Sequence, residues 1–341
     1  MRRVSPMLVL GGYAVLGIMA AQSAAHHSRA HYSSEVSEMV GEFVEIDWRN
    51  PHVYFRFREA DSTDDSVWLM EASSLYVLKR GGISRDMLQI GERVRVAGRI
   101  SNTRPNEYGV TNILRPSGQE IVILSGASPR WSDEAIGSRD NWVADVDRLL
   151  GTSSDQEGLL KVWSVPKDQI VVSHLPFTEA AIASRADWNP DENYVMRCEP
   201  RGMPSIIGGG QPHPFEFVDQ GDILVFCSEE FDIVRNIHMD QNSIPDGEPH
   251  SRLGYSIGEW EDDNTLVVYT ARINWPYFDG NGTRQSEQVE TVERFSLSDD
   301  GRELTYHLTV TDPETFTEPA TRERKYLALG ETVEPYECEP I

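Results

Sequence analysis

The sequence predicts a mainly β protein built as a small OB-like five-stranded barrel followed by a larger antiparallel β-barrel, a lipocalin-like meander with few short helices. Three observations carry this expectation. Apolar and polar residues alternate with a period of two over much of the chain. The alternating runs are short and are bounded by Gly, Pro, Asn and Asp turn signals. The 341 residues exceed the roughly 100–200 residues usual for one domain.

Residues 1–25 have the layout of a secretory signal peptide. Arg2 and Arg3 come first, then an uncharged apolar run from Met7 to Ala21, then Ser23, Ala24 and Ala25. The run is shorter than the roughly 20 residues of a spanning helix, and it contains Gly11, Gly12 and Gly17. Cleavage after Ala25 leaves His26 as the first residue. Cleavage after Ala24 puts Gln22 at the outer recognition position, a poorer fit. The expectation is a periplasmic or secreted protein with no stable membrane span once the leader is removed.

Residues 26–125 read as the first barrel. "GEFVEIDW" is the first strand. In "HVYFRFRE", Val53, Phe55 and Phe57 fall on one face and Tyr54, Arg56 and Arg58 on the other. Asn50-Pro51 breaks the two apart. "SVWLMEA" is a third strand. "SSLYVLKRGGI" predicts a short helix with Ser74 as N-cap and Gly81-Gly82 as its stop. "ERVRVAGRIS" and "YGVTNILRP…EIVIL" supply the last strands. Three strands, a helix and more strands is the order of an OB-type barrel.

Residues 126–160, rich in Gly, Ser and acid, read as a linker with a short helix at "NWVADVDRLL". Residues 161–341 return to strands. "PFEFVDQGDILVFCSEEFDIVRNIHM" holds three, with Glu229-Glu230 read as turn acids. "YSIGEWEDDNTLVVYTARI" is a pair about Asp262-Asp263-Asn264. "EQVETVERFSLSDDGRELTYHLTVTD" is a hairpin about Asp299-Asp300-Gly301. Eight or nine strands in sequence favour closure, which removes exposed edges. A barrel of that size either encloses a small ligand or is filled by its own side chains, and both options stand at this stage.

Composition narrows the function. The formal net charge is -24, and loss of Arg2 and Arg3 with the leader makes it more negative. Nucleic acid is excluded as a partner, because phosphate binding needs Lys/Arg stripes. Arg56, Arg58, Arg93, Arg95 and Arg99 alternate with apolar residues and read as a solvated face. There is no GxSxG, HExxH or P-loop pattern. "GGGQPHP" at 208–214 has three glycines but no lysine, and reads as a loop. The three cysteines, Cys198, Cys227 and Cys338, have no zinc-type spacing. Export permits a disulfide among them.

The segments "AHHS", "NPHVYF", "NYVMRCEPRGMP", "FDIVRNIHMD", "GYSIGEWEDDNTLVVYT", "VERFSLSDDGRELTY" and "YECE" resemble a family of exported, uncharacterised bacterial proteins. In these an amino-terminal domain beginning "AHHSF" precedes a β-rich carboxy-terminal domain. The resemblance extends over nearly the whole mature chain and implies export and a two-domain division, but no activity. It also implies a disulfide between Cys198 and Cys338, worth about 4–5 kcal/mol in a chain-entropy picture, with Cys227 left as a thiol. Family members often carry histidine where this chain has Gln285.

The leading functional expectation is an exported binding or accessory protein for a small apolar ligand in the second barrel. His238, Glu259, Tyr269, Trp275 and Tyr277 are its candidate ligand-binding residues, because polar groups among apolar strand residues mark a cavity when they point inward. "INWPYFDGNG" then caps the barrel mouth or plugs it. The first alternative is a copper-binding protein or oxidase. With His26 first, its α-amine and imidazole chelate one ion, an arrangement resembling the histidine brace of exported copper enzymes. His27 and His52 are the partners, with His31 a further candidate, and copper heads the affinity order for imidazole sites. The second alternative is an enzyme with Glu293 and His307 as acid and base, which requires both side chains to converge on one pocket.

Overall fold

The computed structural model describes residues 32–60, 66–124, 126–137, 157–166, 169–189, 193–207, 213–328 and 330–340. The leader, His26, His27, His31 and the helix expected at "NWVADVDRLL" lie outside them.

The first barrel comprises β1 (Ser37–Asp47), β2 (Tyr54–Glu59), β3 (Trp68–Glu71), α1 (Leu75–Arg80), β4 (Arg93–Ile100), β5 (Glu107–Leu114) and β6 (Glu120–Val122). β1 pairs with both β2 and β4, β2 with β3, and β4 with β5. A parallel β3–β5 pairing closes the ring of five strands. This is the OB-like arrangement the element order predicts. Phe43, Phe55, Phe57, Val96 and Ile113 are fully buried inside. Arg56 and Arg58 are exposed and face Glu45 at 3.0 Å and Glu42 at 2.9 Å. Their positive charge is therefore matched by acids on the neighbouring strand, as a solvated face requires. The strands curl where backbones touch. A Cβ on Gly98 would lie 2.3 Å from the Gly109 carbonyl oxygen, and one on Gly41 would lie 2.0 Å from that of Arg58.

α1 begins and ends where expected, but its cap differs. The Ser74 side chain makes no capping hydrogen bond. The Leu75 N–H donates instead to Asn50 Oδ1 at 3.2 Å. The first part of the expected linker, 126–137, packs back on this barrel. Ile136 bridges to Ile121, and the fully buried Glu120 carboxylate accepts the N–H groups of Arg130, Trp131 and Ser132.

The second barrel uses β7 (Trp163–Ser164), β8 (Val172–His174), α2 (Glu179–Ala186), β9 (Phe215–Asp219), β10 (Ile223–Ser228), β11 (Ile233–His238), β12 (Tyr255–Asp262), β13 (Thr265–Ala271), β14 (Glu290–Leu297), β15 (Glu303–Thr311) and β16 (Ala320–Ala328). β9 to β16 follow one another around the wall, and β7 closes the ring of nine between β16 and β9. β8 lies beside β16. Neighbours are antiparallel as expected, except that β11 and β12 run parallel. Parallel neighbours need a return connection, and the long loop 239–254 provides it.

Side chains fill the interior. Phe217 on β9 meets Phe295 on β14 at 5.1 Å between ring centroids, and Phe226 on β10 at 5.6 Å. β9 and β14 are not neighbours in the sheet, so the first contact spans the lumen. Leu266, Val268, Leu304 and Tyr306 complete that layer, each fully buried. Of the two options, the filled barrel is the one this sequence adopts.

Candidate functional site

Alternation along each strand decides which side chains reach the lumen. Glu293 on β14 does, with 0 % exposure. Arg235 on β11 reaches across to it. Its Nη1 donates to Glu293 Oε1 at 3.2 Å and its Nη2 to Oε2 of the same carboxylate. Its Nε donates to Ser256 Oγ at 2.9 Å and its Nη2 also to Thr270 Oγ1 at 2.7 Å. The Tyr306 hydroxyl adds a bond to Glu293 Oε1 at 3.0 Å. Burial, and next the Glu293 charge, push the Tyr306 phenol well above its ordinary pKa. Both oxygens of this carboxylate are thus occupied by protein donors. His307 follows Tyr306 on β15 and so faces the outside of the barrel. The structure does not bring Glu293 and His307 together.

The expected ligand-binding residues divide between two places, neither inside the barrel. Trp275 and Tyr277 form an aromatic cluster with Tyr194 and Trp188. Centroid distances are 4.9 Å for Trp275–Tyr194, 5.5 Å for Tyr194–Tyr277 and 5.1 Å for Trp188–Tyr277. The Trp275 ring lies against Gly202, where a Cβ would come within 2.4 Å of it. These residues plug the barrel end. Gln285 belongs to the same region, its Nε2 donating to the Met203 and Trp275 carbonyls at 2.8 Å each.

His238, Glu259 and Tyr269 point outward. Glu259 and Tyr269 line a groove of about 1180 Å³ on the outer wall of β12 and β13, walled by the loop after β11. Met239, Ile244, Ile257, Val267 and Val289 give it apolar lining, and Glu287, Glu290, Gln241, Asn242 and Arg272 give it polar lining. Tyr269 hydrogen-bonds Glu290, and partial burial together with that carboxylate raises its phenol pKa. His238 stands beside the groove. It stacks on Tyr255 at 4.4 Å, and the Tyr255 hydroxyl donates to Gln241 Oε1 at 2.7 Å. The sequence signals for these residues were correct as polar groups in strands, but alternation alone did not say which face was outside.

On the first barrel, His52 sits just before β2 and is buried. Its Nδ1 contacts Glu71 Oε1 on β3. The Tyr32 hydroxyl lies 3.0 Å from both Glu71 Oε2 and Glu107 Oε1, and Arg104 Nη1 donates to Glu107 Oε2 at 3.1 Å. Burial, then Glu71 and Glu107, raise the Tyr32 phenol pKa. An open cleft of about 370 Å³ adjoins this cluster, lined by Tyr32, Glu71, Arg99, Thr111 and Arg130 among others. Tyr32 and His52 thus share Glu71 as a partner, while His26, His27 and His31 lie outside the described residues. Among the described residues, no group of three or more His, Cys, Asp and Glu is placed to hold a metal ion.

Sequence reasoning missed a third polar cluster. Glu229 and Glu230 do lie in the turn between β10 and β11, but both are buried there. Glu229 Oε1 meets His213 Nδ1 at 3.0 Å, and Glu230 accepts Arg201 Nε at 3.1 and 3.2 Å. Their partners are remote in sequence, so no local pattern announces them.

Cys198 and Cys338 form the disulfide, and Cys227 is the thiol. Partial burial, then Glu216, raise the Cys227 pKa. The thiolate is the reactive form, so alkylation of Cys227 by iodoacetamide at neutral pH is expected to run severalfold slower than that of a small free thiol. Equal rates would contradict this.

A closed five-strand barrel, a nine-strand barrel and a disulfide joining distant segments define a two-barrel β protein. Residues 15–110, reaching from the leader-like segment to the first half of β5, match the model of a family of unknown function (DUF6152). No curated protein matches the chain. No helix among the described residues is long and apolar enough to cross a membrane.

Proposed function

We propose that this is an exported binding or accessory protein whose ligand lies in the outer groove of the second barrel. The groove itself carries the proposal, since a large concave surface that combines apolar side chains with polar and charged groups can hold and orient a ligand. Its lining modifies the expected ligand. The acids Glu259, Glu287 and Glu290 outnumber the basic residues Arg272 and His250, and apolar side chains share the lining. This favours a small amphipathic molecule with an apolar body and a cationic or hydrogen-bond-donating end. Export is supported by the leader-like residues 1–25 and by the disulfide, which belongs to oxidising compartments.

Native mass spectrometry of protein purified from its source compartment tests this. A co-purifying small molecule is expected, and Tyr269→Ala is expected to cut its retention about tenfold, equivalent to about 1.4 kcal/mol. A wild-type protein carrying nothing, or a variant retaining as much, would remove the groove as the site.

One observation favours a second reading, copper binding. A carboxylate on one ring nitrogen is the arrangement that orients a metal-binding imidazole, and Glu71 contacts His52 in that way. The ion would need the amino-terminal histidines His26 and His27 as well. Mass spectrometry of the mature protein is expected to find His26 first. Copper affinity is then expected to fall at least about tenfold in His52→Ala. A mature chain starting beyond His27, or unchanged affinity, would exclude it.

A further inference from the structure

Among the described residues, the last residues of the chain make contacts with both barrels. Segment 330–340 crosses from one to the other. Toward the first barrel, Glu331 accepts the Tyr76 hydroxyl at 2.9 Å and pairs with Arg80 Nε at 3.1 Å. Glu334 pairs with Lys79, and Glu339 with Arg49 at 2.8 Å. The Asn50 side-chain amide donates to the Tyr336 carbonyl, and Asn50 bridges to Cys338 through the backbone. Toward the second barrel, Tyr336 is buried against Phe231 at 4.7 Å, and its N–H donates to Asp232 at 3.0 Å. Direct contacts between the barrels, among the described residues, include Arg80 Nη1 to the Val165 carbonyl at 3.3 Å, the Tyr76 ring against His213 at 5.1 Å and a hydrogen bond between Tyr76 and Ser164.

The segment forms no ladder with any strand, apart from the Asn50 bridge. Its covalent anchor is the Cys198–Cys338 bond, and both cysteines are partly exposed. We infer that segment 330–340 is a clasp holding the two barrels in one arrangement, and that the disulfide is its redox-sensitive fastener. An external dithiol breaks the one S–S bond. The protein takes up two electrons and two protons and gains two thiols, while the dithiol becomes a disulfide. The freed end then depends on the buried Tyr336 and its hydrogen bonds to Asp232 and Asn50, and on ion pairs, of which the exposed Lys79–Glu334 and Arg49–Glu339 pairs are weakened by salt. Asn50 ties the clasp to the first barrel twice over, because it also caps α1 and stands two residues before His52. Release therefore loosens the turn that presents His52.

The test uses the full chain with and without dithiothreitol. Thiol titration must first rise from one to three per chain. Reduction is then expected to increase the radius of gyration in X-ray scattering, more so in high salt. Cleavage by a glutamate-specific protease after Glu331, Glu334 or Glu337 is expected to speed up about tenfold. The far-UV signal of both barrels should stay intact. A reduced chain that remains compact with its tail protected would overturn the clasp. Loss of the β signal on reduction would overturn it too, since the bond would then be holding the second barrel's own fold. Glu334→Lys with Glu339→Lys gives an independent arm. With the disulfide intact this chain should stay compact, and after reduction it should expand without added salt. Expansion before reduction would mean that the ion pairs, not the bond, fasten the tail.

Discussion

Glu293→Ala is expected to destabilise the second barrel by about 3–5 kcal/mol. The cost lies less in the lost bonds than in what remains. Arg235 is 2 % exposed, and without its carboxylate it is a buried cation held only by the Ser256 and Thr270 hydroxyls. Tyr306 loses its acceptor as well. For a barrel of this size the melting temperature should drop by on the order of 10 °C. Hydrogen exchange of β13 and β14 peptides reads the change in that barrel alone. Arg235→Met combined with Glu293→Leu removes both charges together and should cost less than the single change, because no orphan ion stays behind. Glu293→Ala with wild-type protection would show that water reaches the lumen. That result would return Glu293 to the list of functional residues.

The same strand shows what sequence can and cannot reveal. In "ETVERFSL" the two faces are Thr291, Glu293, Phe295 and Leu297, and Glu290, Val292, Arg294 and Ser296. The first has two large apolar residues and one charge and the second one apolar residue and two charges, so hydrophobicity favours the first as the inner face but does not say how it accommodates Glu293. That answer comes from Arg235, 58 residues away in sequence. Where one face is plainly apolar, as with Phe55 and Phe57 against Arg56 and Arg58, strand and orientation were both legible. Strand existence was legible almost throughout. Direction was not, because alternation reads the same either way, and the parallel β11–β12 pair emerged only from the path of loop 239–254. The groove could not be foreseen for the same reason, since that loop makes one wall of it. Ser74 illustrates the limit of local rules. It occupies the N-cap position, yet the capping oxygen comes from Asn50, held in place by the carboxy-terminal segment. The disulfide was legible through resemblance to a family, not through spacing.

Glu120 should be nearly as sensitive as Glu293, for a different reason. It has 0 % exposure, and its partners among the described residues are uncharged donors. Its Oε1 accepts Asn112 Nδ2 and the Arg130 N–H, both at 2.7 Å. Its Oε2 accepts the Trp131 and Ser132 N–H groups at 2.8 Å each. These donors pin residues 128–132 to the barrel, and Ser128, Pro129 and Arg130 form part of the wall of the first-barrel cleft. Glu120→Ala leaves four donors facing a void and should cost about 3 kcal/mol or more. Glu120→Gln is the sharper test. It keeps the shape, but its NH₂ group must face one of the two donor pairs, so about 2 kcal/mol should still be lost. Exchange at residues 128–136 should rise in both variants before it rises in β1 or β4. If Glu120→Gln keeps full stability while Glu120→Ala does not, the pocket needs volume, not acceptors. The cleft wall would then hold by packing of Trp131 and Ile136, and changes to cleft polarity could be made without unfolding it.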